Sequence, residues 1–291
     1  MQRRSKGAAS PSQDTAFGWP RDFLGNRFTY AVISQRACGL AIGVNLNPEK
    51  FCNFKCVYCE VQRGEPVAEQ PVDVNVLSVE LARMLDLASD GRLRDWPHFR
   101  RIPPELLQLK EVALSGDGEP TLCPNFDQVV ETVLRVRSQG SKFFKVVLVS
   151  NTAGLFQPAV ERGWRQLTLE DELWLKLEAG SQKYMERINR PTNMTLKNVM
   201  ANILQIGRER PVVIQSLFPL LDGEEPAADE IEGYVHRLQE LLAGGAQISL
   251  VQVYSAHRPA QQANCRHLPL GSLSLIARQV REKTGLPVEV F

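Results

Sequence analysis

Cys52, Cys56 and Cys59 form a C-x3-C-x2-C run within eight residues, with Tyr58 directly before the last thiol. Packing alone does not ask for that spacing. Thiolates are soft ligands, and three on one short loop can wrap a single metal or cluster. A 4Fe–4S cube has four irons, each wanting an outer ligand, so three protein thiolates leave one iron open. Other chemistries stay available at this point. Cys56-x-x-Cys59 alone could be a redox dithiol, which leaves Cys52 idle. A zinc site needs a fourth ligand, for which Cys265, His267 or another of the four histidines would have to serve. Three buried structural cysteines are the plainest alternative.

The elements that would position these thiols follow from periodicity. Short apolar, β-branched runs at 40–46, 111–115, 145–151, 173–178, 211–217 and 247–254 read as strands. Several are continuously apolar, as in Val146 to Val149, which suits a parallel sheet covered on both faces. Between them, apolar residues recur at helical spacing. Thr195 caps a stripe through Leu196, Val199, Ile203 and Leu204, and Asn125 one through Phe126, Val129 and Val133. Further helices are expected around 79–87, from Ile231 to Leu242 before Gly244-Gly245, and at 273–283 before Gly285. Six strand-then-helix units predict a parallel α/β barrel, complete or partial. The polar residues of the strands gather late, at Asn45, Ser115, Ser150, Asn151, Lys176, Glu178, Gln215, Ser216, Gln252 and Tyr254. In such barrels the strand C-terminal ends form the active face. Lys176 and Glu178 share one strand face by the period of two, which predicts a polar lumen.

The triplet with its aromatic resembles the signature of the radical S-adenosylmethionine (radical SAM) superfamily. Gly39-Leu-Ala-Ile-Gly-Val-Asn-Leu-Asn-Pro48, Ser115-Gly-Asp-Gly-Glu-Pro-Thr-Leu122, Glu178-Ala-Gly180 and Ile188-Asn-Arg-Pro191 resemble the branch of tRNA wybutosine-synthesis enzymes and their bacterial relatives. The resemblance spans roughly residues 28 to 260 and implies a partial (β/α)6 TIM-like barrel. It implies one 4Fe–4S cluster on Cys52, Cys56 and Cys59, with the open iron taking the methionine part of S-adenosylmethionine (SAM). Reductive cleavage of SAM would then give a 5′-deoxyadenosyl radical that takes a hydrogen atom from substrate. The protein's share is placement and exclusion of water.

The resemblance also implies SAM contacts, position by position. Tyr58 would lie near the adenine. Gly118 and Glu119 would take the amino group, with Glu119 as the acidic side chain. Ser150, Asn151, Lys176 and Glu178 would meet the ribose or carboxylate, although Asp is more usual where Glu178 stands. Arg190 could pair with a carboxylate or phosphate, and Val253 with Tyr254 could touch adenine. An electron donor such as flavodoxin or ferredoxin is an expected partner, and a tRNA base an expected substrate. Modification of a protein, peptide or small metabolite is the alternative, and a non-catalytic zinc or iron–sulfur protein is a further one. Cys38, Cys123 and Cys265 are scattered, which argues against the second cluster attributed to wybutosine-type enzymes.

Composition sets outer bounds. The chain of 291 residues has a formal net charge of +1, too small for a chain-wide grip on nucleic acid. A local patch, Arg92-Leu-Arg94-Asp-Trp96-Pro-His98-Phe-Arg100-Arg101, interleaves bases with aromatics as RNA contacts do. No apolar run is long enough to span a membrane. Clustered thiols among six cysteines suit a reducing cytoplasm better than a disulfide framework. Residues 1–20 read as a polar tail, 21–256 as the barrel, and 257–291 as an extension packed on it.

Overall fold

A computed structural model describes residues 23–63, 68–140, 142–258 and 260–291. The expected tail therefore lies outside the described residues. The core is one open sheet. An antiparallel hairpin of β1 (Thr29–Ser34) and β2 (Gly39–Asn45) begins it. β3 (Leu109–Ser115), β4 (Lys145–Ser150), β5 (Glu172–Lys176) and β6 (Val212–Leu217) follow in parallel. Outside this sheet, β7 (Pro219–Leu221) pairs antiparallel with β9 (Cys265–His267). β8 (Ile248–Tyr254) then continues the parallel order, and β10 (Val288–Val290) closes it. The spatial order is β1-β2-β3-β4-β5-β6-β8-β10.

The six expected strands are β2, β3, β4, β5, β6 and β8, with ends shifted by one or two residues. The extension beyond residue 256 does more than pack on the barrel, because β10 adds a strand to its sheet.

Helices cover the outer face. α1 (Val74–Ser89) and α2 (Phe126–Gln139) follow β2 and β3. α3 (Pro158–Trp164), α4 (Gln182–Ile188) and α5 (Leu196–Glu209) follow β4 and β5. α6 (Ala228–Ala243) leads to β8, and α7 (Leu270–Thr284) to β10. Thr195 caps α5 in a reciprocal capping box with Asn198. Asn125 does not cap α2; its side chain instead bonds both backbone groups of Val72.

Strand alternation sorts side chains between two faces. Ile42, Val44, Val112, Leu114, Val146, Leu148, Leu175, Ile214 and Val253 are fully buried in the main core under the helices. Their neighbours Val147, Trp174 and Val213 form a separate apolar cluster on the concave side. Around that cluster the concave face is polar, with Lys176, Gln215 and Gln252. Gly43 is required there: a Cβ would sit 2.0 Å from the ring of Tyr30, which crosses it to reach Ser115 Oγ at 3.2 Å. Among the described residues no helix is long and apolar enough to cross a membrane.

Candidate active site

The cysteine loop leaves the C-terminal end of β2 and lies over the ends of β3, β4 and β5. Among the described residues each sulfur has one N–H donor. The backbone N–H of Phe54 donates to Cys52 Sγ at 3.4 Å, Asn189 Nδ2 to Cys56 Sγ at 3.7 Å, and Arg63 Nη2 to Cys59 Sγ at 3.5 Å. Burial pushes the Cys52 thiol up to about 11 and the Cys56 thiol up to about 12, Glu119 and Glu178 adding to the effect respectively. Among the described residues no three His, Cys, Asp or Glu side chains stand close enough to hold a single metal ion. A cubane, by contrast, takes its outer ligands on separate irons. Three soft donors on one loop, each met by an N–H, fit such a cluster.

Beneath the loop is a buried polar knot. Lys176 and Glu178 do share a face, with Nζ 3.4 Å from Oε1. Tyr58 donates its hydroxyl to Glu178, and Asn189 Nδ2 donates to the same carboxylate and to the Tyr58 oxygen. Lys176 also sits 5.0 Å from the Tyr58 ring centroid. Burial alone would lower the Lys176 ammonium, but Glu178, Tyr254 and Cys56 together outweigh it and hold the ammonium above its ordinary value. Burial, with Cys56 and Glu178 nearby, raises the Tyr58 hydroxyl. This knot ties β5 to the loop carrying the thiols.

The turn after β3 supplies a second tie. Gly118 lies so close to the loop that a Cβ would fall 1.8 Å from the Phe51 carbonyl oxygen, and Glu119 N donates to that same oxygen at 3.2 Å. The Glu119 carboxylate is 3% exposed and receives four donors. Thr121 N, Thr121 Oγ1 and Ser150 Oγ meet Oε1, at 3.1, 2.7 and 2.7 Å. Asn151 N meets Oε2 at 2.7 Å. Burial nonetheless raises its carboxyl above the ordinary range. Glu119 and Ser150 thus bond each other across β3 and β4. Asn151 reaches the thiol loop itself, donating to Asn53 Oδ1 at 2.9 Å.

Two expected residues stand elsewhere. Val253 turns into the helix-side core at 0% exposure, because its neighbours Gln252 and Tyr254 take the concave side. Arg190 has φ 47°, and its side chain bonds the half-buried Gln262 at 3.2 Å. Its neighbour Asn189 points inward instead, and the expectations passed over it. A short polar residue beside a motif arginine was the available signal. Arg63 was also missed; only its position four residues after Cys59 pointed to it.

A strap from the C-terminal region closes the loop from outside. Gln261 N donates to the Cys59 carbonyl at 2.9 Å, and Arg258 pairs with Glu60 at 2.7 Å. Cys265 is buried against Val57, Ile188 and Leu221, an apolar setting. His267 stacks on His257 at 4.4 Å. Cys38 is exposed at the β1–β2 turn, and Cys123 is buried in the main core.

Comparison with known proteins bears on the fold. No family model matches the chain. A UPF0026 protein of Helicobacter pylori strain J99 is 20% identical over 225 residues, covering 76% of this chain and 65% of its own length. The chain therefore spans just under two thirds of that relative. Streptococcus suis SuiB bound to S-adenosylmethionine superposes with a TM-score of 0.56 at 14% identity, over 83% of this chain and 48% of SuiB. TYW1 with a lysine–pyruvate adduct bound gives 0.53 at 16% identity, over 88% of this chain and 84% of that one. The fold is that of the radical SAM enzymes. The open, mostly parallel sheet is their partial barrel.

Proposed function

We propose that the chain is a radical SAM enzyme holding one 4Fe–4S cluster on Cys52, Cys56 and Cys59. The observation that carries this reading is the placement of three thiols, each with its own N–H donor, over the strand ends of a partial barrel. N–H donors to thiolate favour the ionised form that a cluster needs and set its potential. When bound, the cluster would supply the electron that cleaves SAM. The chain's own part is to hold and shield. Gly118 admits the backbone against the loop, Asn151 and Asn189 brace it, and Tyr58 is available to a ring. Lys176 and Glu178 present a matched charge pair toward SAM's polar groups, while Arg258 and Gln261 cover the loop from outside. SuiB, a structural neighbour, binds S-adenosylmethionine. A thiolate cluster also calls for a reducing compartment, the cytoplasm, and for an electron donor of the flavodoxin or ferredoxin kind.

The RNA reading loses its local support. The stretch from Arg92 to Arg101 lies in the connection from α1 to β3. That connection returns the chain to the end where strands begin, opposite the cysteine loop. Arg92 pairs with Asp90, and Arg94 donates to the Ile102 carbonyl. A tRNA base would have to be held by other surfaces.

The test is anaerobic purification, reconstitution with iron and sulfide, then dithionite and SAM with an assay for 5′-deoxyadenosine. Product that requires all three cysteines is the expected result. A chain that takes up zinc and no iron would overturn the reading.

A further inference from the structure

Charges on the concave face of β3, β4 and β5 mostly pair off. Lys176 meets Glu178 at 3.4 Å, and Lys145 meets Glu172 at 2.8 Å. Among the described residues Arg36 and Glu111 stand in no such pair. Arg36 leaves the β1–β2 turn and lays its guanidinium over Tyr254 at 4.7 Å and Trp174 at 5.8 Å. Its Nε is buried without a hydrogen-bond partner among the described residues. Glu111 is 2% exposed, and its Oε2 also has none among the described residues. Burial lifts its carboxyl to about 7 against the pull of Lys145 and Arg36. Buried polar atoms are normally bonded, and each exception asks for a reason. Here two exceptions of opposite character share one face.

We propose that Arg36 and Glu111 bind the carboxylate and the ammonium of a small zwitterionic substrate of the α-amino-acid class. A guanidinium matches a carboxylate two bonds at a time, and stacking on two aromatic rings fixes its plane. Glu111 supplies the acceptor that an ammonium needs. A phosphorylated or doubly anionic ligand would satisfy Arg36 and be repelled by Glu111. A neutral ligand would give neither buried atom a charge-matched partner. Position adds a second constraint. Glu111 and Ser115 share the concave face of β3 four residues apart, about 13 Å at strand rise. The zwitterionic end would thus lie deep on the face, with the ligand's side chain reaching toward the cysteine loop. Chemistry would fall on that side chain and not on the α-carbon. This deepens the proposed function and rests on it for the site of reaction, but not for binding.

The experiment is calorimetric titration of the full chain with each common L-α-amino acid except methionine, in the absence of SAM. Any binder is repeated with its des-amino acid and its decarboxylated amine. At least one amino acid is expected to bind. Glu111→Gln and Arg36→Gln should each weaken it about tenfold or more, with Arg36→Lys recovering part. The amine should be indifferent to Arg36→Gln, and the des-amino acid to Glu111→Gln. Affinity should rise from pH 6 to pH 8 as Glu111 ionises among Arg36, Lys145 and Glu172, and Glu111→Gln should flatten that rise. Binding by no amino acid, or binding indifferent to both substitutions, overturns the proposal. SAM affinity, titrated separately on the same variants, should not change. Loss of SAM binding in the unaltered chain would instead strike the proposed function.

Discussion

Two buried carboxylates frame β3, and they live in opposite surroundings. Glu119, just past its end, receives four donors from Thr121, Ser150 and Asn151. Glu111, near its start, has an oxygen that receives none among the described residues. The first is a fastener: its bonds fix one turn against the next strand and so seat the thiol loop. The second does no such work and destabilises the fold where it stands. Buried carboxylates of the first kind hold a site in place, whereas those of the second kind mark where the site meets something else.

The comparison can be broken at several points. The largest effect belongs to the loop that Glu119 serves: Cys56→Ala should reduce iron bound after reconstitution and abolish 5′-deoxyadenosine formation. Glu119→Ala comes next. It orphans two backbone N–H groups and two hydroxyls, and should cost about 3 kcal/mol or more. A lowered urea midpoint at unchanged slope would report it; an unmoved midpoint would show the four bonds to be idle.

Glu111→Gln should act in the other direction. The folded carboxyl titrates at about 7 against an ordinary 4.5, so between those values the folded state binds more protons and stability falls as pH rises. Replacement by Gln should therefore change little at pH 5. At pH 8 it should stabilise by up to about 3 kcal/mol. Thermal melts across that range would decide, and equal shifts at both ends would refute the assignment. The smallest effect is expected far from either residue. Arg100→Ala with Arg101→Ala should alter stability by no more than about 0.5 kcal/mol and leave SAM cleavage intact.

Much of the frame was legible because its rules are periodic. Six parallel strands showed as apolar runs, and the shared face of Lys176 and Glu178 followed from alternation. The same alternation, applied to Gln252 and Tyr254, would have turned Val253 outward. β1 escaped notice because its sequence, Thr-Tyr-Ala-Val-Ile-Ser, is half-exposed and lacks a strong pattern. β10 has three residues, too few for any period. Within the site, the thiols were plain from spacing alone. The work of Glu119 was hidden, since its partners include a backbone N–H 32 residues away that no side-chain pattern encodes. Asn189 and Arg190 are adjacent and both polar; only the backbone at Arg190, at φ 47°, decides which of them turns inward.

The strap across the cysteine loop has a consequence for timing. Arg258 joins Glu60 across 198 residues, and Asn189 reaches Cys56 across 133. During synthesis the thiols emerge long before the segments that close over them. Contacts this remote in sequence form late, after much of the chain is available. The loop should thus pass through an open stage in which iron and sulfide have free access. Closure by the last fifth of the chain would then seal what had been loaded.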